Sequence, residues 1–346
     1  GLDSAALACL ARQTGVADGE LEHAFALTFR DAGEAYDELA EARLVAERLG
    51  LKLHVIRPKP SDLRDRLPKM IWHLDQPVGS VSSLAAFMGS EAAAKRGIRA
   101  LLVGQGADEL FGGHSRYLLM LAEDRLGREP ALRHYLPLAR YFWNPAMFND
   151  PAERYYTLLN RGPAQDPRCR ARIAGYMKPW TNLIDKMGYV DLMLMLPTVL
   201  AMDDRATAAY GLENRNPFLD HRVIELAFRL PPELKVRDFM TKVAMRRALQ
   251  GIVPDEILER PEKMGLAVPV TRWMAHDLKS WADVRAKRFR ERLEGNFLNA
   301  AWDAAGPRGE FDRRRYMRIC LELWMEIMIE GGVKVWEDQG FIDRVE

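Results

Sequence analysis

The sequence is poor in the residues that build disulfide or metal frameworks. Its 346 residues include three cysteines, Cys9, Cys169 and Cys320, far apart and odd in number. That excludes a disulfide scaffold, and no CxxC pair or Cys/His cluster offers a zinc site. The expected compartment is therefore a reducing cytosol, with all three thiols buried. Seven histidines give no HExxH spacing, and there is no GxSxG elbow. Long apolar runs are missing too. The longest, residues 192–202, is broken by Pro197 and falls short of the ~20 residues a bilayer span requires, so no membrane partner is expected. Charge of one sign is scarce: 50 Lys and Arg face 49 Asp and Glu, a net of +1. Non-specific nucleic-acid binding calls for a strong basic excess, so no nucleic-acid partner is expected. Disorder is excluded by the 48% hydrophobic content. The opening residues show no basic n-region or apolar h-region, so they are not expected to be a signal peptide. Gly1 already stands inside a motif, so an upstream part is expected to have been cut away.

What is present alternates. Residues 5–14 read as a helix with Asp3 and Ser4 as cap candidates, residues 34–49 and 61–73 as helices, and 83–96 as another. Residues 24–29 (AFALTF), 51–56 and 98–103 read as strands. This alternation argues for a parallel α/β sheet. After about residue 115 the strand signal fades and the segments look helical. The expected division is 1–115, an α/β core, and 116–346, a mainly helical part. Met193 and Met195, in an apolar stretch, are expected in the core. Two arginine-rich runs, 285–292 and 308–318, read as solvated helix faces with acidic partners nearby.

Four motifs could carry chemistry. GLDS, residues 1–4, runs into a helix, whose N-terminal N–H groups attract anions. Asp3 cannot bind phosphate directly but can hold a magnesium ion that does; it can equally be an ordinary cap. Residues 103–113, VGQGADELFGG, follow a predicted strand. Gly104 and Gly106 let the backbone turn tightly and approach a ligand. Asp108 and Glu109 place two carboxylates in the turn, and Gly112-Gly113 should stop a helix after about one turn. The pattern is neither GxGxxG nor GxxxxGK[ST]. Residues 203–205 (DDR) and 211–220 (GLENRNPFLD) combine a turn, a cap at Asp220, and charges that could be ion pairs, Glu213 with Arg215 or Asp204 with Arg205. Finally, residues 260–265 (RPEKMG) hold Lys263 beside a glycine in a Pro-flanked loop. That lysine could reach a phosphate, or simply be solvated.

Together these motifs resemble the asparagine synthetase branch of the PP-loop ATP pyrophosphatases. GLDS is similar to the end of SGGxDS, GQGADELFGG to the second signature, DDR…GLENRNPFLDHR to DR…GxExRxPFLD, and RPEKMGLAVP…W to RxxKxGFxxP…W. The resemblance implies a Rossmann-like parallel sheet with helices on both faces, of the adenine nucleotide alpha hydrolase type, plus a large helical C-terminal extension. The first strand and part of the phosphate loop would be missing. It implies ATP and Mg2+ as cofactors and an acyl-adenylate intermediate. That adenylate would yield an amide, with aspartate as acceptor and glutamine or ammonia as nitrogen source. Asp3 and Asp108 match the magnesium ligands. Gly1, Ser4, Leu27, Val103, Gly104, Gly106 and Glu109 join them as nucleotide-binding positions, and Lys263, Gln105 and Arg260 as catalytic ones. A glutaminase domain is expected upstream in the full-length chain, and a homodimer is among the partners allowed. The sequence departs from the pattern at Gln105, commonly glutamate, at His114, usually tyrosine, and at Leu266, usually phenylalanine. Gln105 can orient a substrate but cannot act as a general base. It therefore leaves open a different carboxylate acceptor, as in β-lactam synthetase-like or peptide-macrocyclising enzymes, or a module without activity.

Overall fold

The computed structural model describes residues 1–15, 21–29, 38–77, 79–128, 145–159, 166–260, 268–294 and 313–330. The first part alternates as expected: α1 (Leu2–Gln13), β1 (His23–Leu27), α2 (Leu39–Leu49), β2 (Lys52–Ile56), α3 (Pro60–Leu74), α4 (Ser82–Ala94), β3 (Ala100–Leu102) and α5 (Ala107–Phe111). Glycine sets the stops. Gly50 ends α2 at φ +66 and Gly112 ends α5 at φ +73, a left-handed backbone that side chains resist. Neither Asp3 nor Ser4 caps α1. The helix begins three residues earlier than expected, with Gly1 at the cap position and no side-chain cap bond.

Helices dominate thereafter: α6 (Ser115–Arg128), α7 (Pro151–Leu159), α8 (Pro167–Met177), α9 (Leu183–Val190) and α10 (Leu196–Ala208). A π-helical turn, Asp191–Met195, joins α9 to α10 and exposes Met193 and Met195 rather than burying them. The wider π turn shifts these side chains off the buried face that helical spacing predicts. Cys169 is likewise exposed, while Cys9 and Cys320 are buried.

One strand lies where no strand was expected. β4 (Glu213–Arg215) pairs in parallel with β3, Ala100 opposite Glu213 and Leu102 opposite Arg215. ENR has little strand propensity, and the ladder with β3 overrides it. β1 and β2 form a second parallel pair, and the described strands thus make two-stranded sheets rather than one continuous one. The structure is a mostly helical α/β protein with small parallel sheets. Beyond β4 come α11 (His221–Arg229), capped by Asp220 as expected, α12 (Pro232–Lys235), and the antiparallel ribbon β5 (Val236–Arg237) and β6 (Met240–Thr241). Then follow α13 (Val243–Ala248), α14 (Asp255–Leu258), α15 (Val270–Ala275), α16 (Lys279–Arg292) and α17 (Arg314–Trp324).

One core lies under α1, α2, α5, α13 and α14, around Ala6, Val45, Leu110, Met245 and Ile257. A larger one joins α3 and α4 to α15 and α17 through Leu67, Phe87, Trp273 and Ile319. The first arginine run does find acidic partners, but in a buried seam. Arg285 Nη1 lies 3.1 Å from Glu322 Oε2, and Arg292 pairs with Glu322 and, at 2.7 Å, with Glu330. Of the second run residues 313–318 are described: Arg314 is buried in α17 and Arg315 pairs with Asp283 of α16, so it too is only in part a solvated face. Among the described residues no helix is long and apolar enough to cross a membrane.

Glu322 side-chain oxygens are fully buried between the two guanidinium groups. Glu322→Ala should therefore cost about 1–3 kcal/mol, because it takes one carboxylate from Arg285 and Arg292 and leaves them Glu326 and Glu330. A urea midpoint close to wild type would show instead that water reaches them.

Candidate active site

The site is organised by a residue that the motif reading passed over. Lys242 follows β6 in the left-handed region at φ +56, and its N–H donates to the Phe111 carbonyl at 3.2 Å. Its side chain is 4% exposed, and Nζ bonds Asp3 Oδ1 while lying 2.7 Å from Asp108 Oδ1. Asp3 opens α1 and Asp108 opens α5, so one ammonium holds three distant segments. Burial pushes the Lys242 ammonium down in pKa, opposed by the charges of Asp3 and Glu109. The TK dipeptide before VAMRRAL gave no motif signal. A lysine preceding an amphipathic helix reads as solvated, and only the ribbon turns it inward.

Glycines admit this contact. A Cβ on Gly113 would sit 2.0 Å from Asp108 Oδ1 and 2.2 Å from Lys242 Cε. On Gly104 it would sit 2.8 Å from Asp3 Cβ, and on Gly106, at φ +93, 2.3 Å from Leu219 Cδ2. The GQG loop is thus wedged between α1 and the PFL turn. Val103 extends the β3 ladder, its N–H donating to the Arg215 carbonyl at 2.9 Å.

A cavity opens on one side of this cluster, lined by Gly1, Asp3, Glu38, Glu41, Thr241, Lys242, Arg246 and Arg260 among others. The Arg260 guanidinium bonds Glu41, and Arg246 Nε donates to the Thr241 carbonyl at 2.7 Å. Of the expected site residues, Gly1, Asp3, Arg260, Gly104 and Asp108 are therefore joined through contacts around Lys242. Ser4 is exposed, and its hydroxyl makes no hydrogen bond among the described residues. Leu27 ends β1 with its side chain against α4 at Gly89. Lys263 and Leu266 lie outside the described residues.

Glu109 points elsewhere. Its Oε1 lies 2.9 Å from His114 Nε2, and His114 lies 4.0 Å from Asp191 Oδ2. Burial would raise the Glu109 carboxyl. The His114 hydrogen bond and the charges of His114 and Arg116 outweigh it and leave the group below its ordinary range. Asp191 in turn accepts from Tyr117 and Tyr155 hydroxyls, each at 2.6 Å, and from Arg116. Gln105 Nε2 donates to Asp203 Oδ2 at 2.7 Å. Burial lifts the Asp203 carboxyl to about 6 against the lowering effect of that bond. The pairing expected between Asp204 and Arg205 is not formed. Arg205 reaches across to Asp75 and the Leu74 carbonyl, while Glu213 and Arg215 do pair, exposed, at 3.3 Å.

Among the described residues no group of three or more His, Cys, Asp or Glu side chains could hold a metal ion. The donor set is two carboxylates converging on one cation. That suits a magnesium ion completing its shell with phosphate and water, not a protein-only cage.

A profile of the asparagine synthase family matches residues 1–326. A glutamine-hydrolyzing asparagine synthetase 1 of Bacillus subtilis is 29% identical over 334 residues, covering 88% of this chain and 52% of that protein. A putative glutamine-hydrolyzing asparagine synthetase of Mycobacterium bovis is 32% identical, covering 96% of this chain and 54% of the relative. An amidase, chry2, of Gibberella zeae is 24% identical over 67% of this chain and 41% of its own length. The chain spans about half the length of the curated asparagine synthetases it matches.

Lys242→Ala should lower stability by about 3–5 kcal/mol, since it leaves two carboxylates facing one another without their cation. Gly113→Ala should cost about 1–3 kcal/mol by pushing Asp108 and Lys242 apart. Both are measured by denaturant unfolding at neutral pH. Wild-type midpoints would mean that the ammonium does not hold these segments together.

Proposed function

The chain belongs to the asparagine synthase family, and from that premise we propose that it forms an amide from a carboxylic acid at the expense of ATP. The carboxylate attacks the α-phosphorus of ATP, giving an acyl-adenylate and pyrophosphate; a nitrogen nucleophile then displaces AMP. We assign aspartate as the acid, and glutamine or ammonia as the nitrogen source, on the family relationship.

The observation that carries this reading is the cavity beside Asp3 and Lys242. It joins the N-terminus of a twelve-residue helix to Lys242, Arg246 and Arg260. Helix N–H groups and clustered cations suit a polyphosphate. Asp3 and Asp108 would hold a magnesium ion, which when bound offsets charge on the phosphates. Lys242 pairs with the two aspartates before the nucleotide arrives and would offer its ammonium to a phosphate oxygen afterwards. Gly104 and Gly106 keep the loop close-packed, and on the family resemblance Leu27, Val103 and Ser4 would contact the nucleotide. Lys263, three residues beyond Arg260, would stabilise charge on the reacting phosphorus.

The parallel pairs β1–β2 and β3–β4 support a Rossmann-like arrangement, with residues 1–115 as the nucleotide-binding part and 116–346 completing the site. β4 and Lys242 come from the second part. A glutaminase domain in the full-length protein, a homodimer and a cytoplasmic setting belong to the same reading; the three free cysteines are in keeping with the last. A different carboxylate as acceptor is the second reading, and Gln105, engaged with Asp203 rather than carrying a charge of its own, is the observation in its favour.

ATP–pyrophosphate exchange in the full-length protein decides between them. Exchange that depends on aspartate is expected, whereas exchange driven only by another acid would move the assignment to the second reading. No exchange with any acid and no ATP binding would leave a module without activity. Lys263→Ala should retain ATP binding and lower kcat by about 10²-fold or more. An unchanged rate would remove Lys263 from the chemistry.

A further inference from the structure

Amide formation from an acyl-adenylate needs a proton acceptor. As the nitrogen lone pair forms the C–N bond, the C–O bond to AMP breaks and its electron pair leaves on the AMP phosphate. The nitrogen then carries a positive charge and must release a proton. Gln105 cannot take it. Asp3 and Asp108 are paired with Lys242, and Glu109 is bonded to His114.

A further carboxylate stands at the loop. Asp203, on α10, accepts the Gln105 amide on Oδ2 at 2.7 Å although the two residues are 98 positions apart. The loop around Gln105 is braced, with Gly104 against the backbone of Asp3 and Ser4 and Gly106 against Leu219. The Gln105 side chain therefore links the Asp3–Asp108 cluster to α10 at a set distance. Asp203 makes no ion pair among the described residues, and its Oδ1 accepts no hydrogen bond from them.

Charged groups on the elements packed against α10 are engaged elsewhere. Arg64 of α3 pairs with Asp65, and Arg66 with Asp62 and with Glu91 of α4. Lys69 lies over the Tyr210 ring, and His73 packs on Phe87. Glu213 and Arg215 of β4 pair together, Arg205 pairs with Asp75, and Asp191 bonds Arg116.

We infer that Asp203 is the base that takes the proton from the attacking nitrogen, with Gln105 positioning its carboxylate. This rests on the proposed amide synthesis. The proton passes from nitrogen to Asp203 Oδ1 and then to solvent, and AMP leaves as the anion. A carboxyl lifted to about 6 is ionised at neutral pH and still basic enough for the task. Gln105 is thus not a blunted version of a charged residue: it is the donor that keeps Asp203 ionised.

Two half-reactions of the full-length protein, with ammonia as nitrogen source, test this. Pyrophosphate exchange needs no nitrogen; amide formation does. Asp203→Asn should keep exchange at the wild-type level while amide formation falls about 10²–10⁴-fold. Wild-type amide formation should decline as pH drops through about 6, where Asp203 takes up its proton. Gln105→Ala should move that acid limb upward, because the bond it removes favours the ionised carboxylate. The inference is overturned if Asp203→Asn makes amide at the wild-type rate, or if it folds and loses both half-reactions together. Should Asp203→Asn not fold, an unshifted limb in Gln105→Ala overturns it. A wild-type protein without exchange for any acid overturns the adenylation reading and this inference with it; normal exchange with a failed Asp203 test overturns this inference alone.

Discussion

The ammonium of Lys242 between Asp3 and Asp108 is the contact on which the site depends. Three segments separated by more than a hundred residues meet at one buried charge: the start of α1, the GQGADELFGG loop and the turn after β6. Burying an ammonium costs several kcal/mol unless its partners are close and well placed. Two carboxylates over-compensate a single cation, so the cluster retains a net negative charge. The cavity beside it sets Arg246 and Arg260 among the carboxylates of Glu38 and Glu41, with Arg260 bonded to Glu41.

The requirement for close approach explains the glycines around it. Gly113 must be bare for Asp108 and Lys242 to meet, and Gly106 must take a positive φ against Leu219. These constraints are steric and electrostatic together. The backbone is thinned where opposite charges have to come within bonding distance. Buried cations elsewhere share carboxylates in the same way, as in the Arg285–Glu322–Arg292 seam.

Much of the organisation was readable from pattern. The α/β alternation of the first third, the stop at Gly112, the cap at Asp220 and the weight of the GQGADELFGG loop all rest on local rules: periodicity, left-handed glycine and capping geometry. The misreadings have local causes too. Asp3 and Ser4 looked like caps because their residue types favour that position, whereas α1 starts at Leu2 and Asp3 pairs with Lys242. Met193 and Met195 looked buried because a π turn has no sequence signature that spacing can detect. β4 was invisible, since ENR resembles a turn until β3 supplies its hydrogen-bond partners.

The sequence by itself determined the family, the ordered motifs and the residue types available for chemistry, because these depend on identity and spacing along the chain. Only the tertiary structure decided which charges face one another. Lys242 became the centre of the site, Glu109 turned to His114, and Gln105 found Asp203 98 residues away. Such pairings are set by how β3, β4 and α10 pack. A side chain's partner across the fold is fixed by burial and by the need to neutralise it there, and neither is written in the residues next to it.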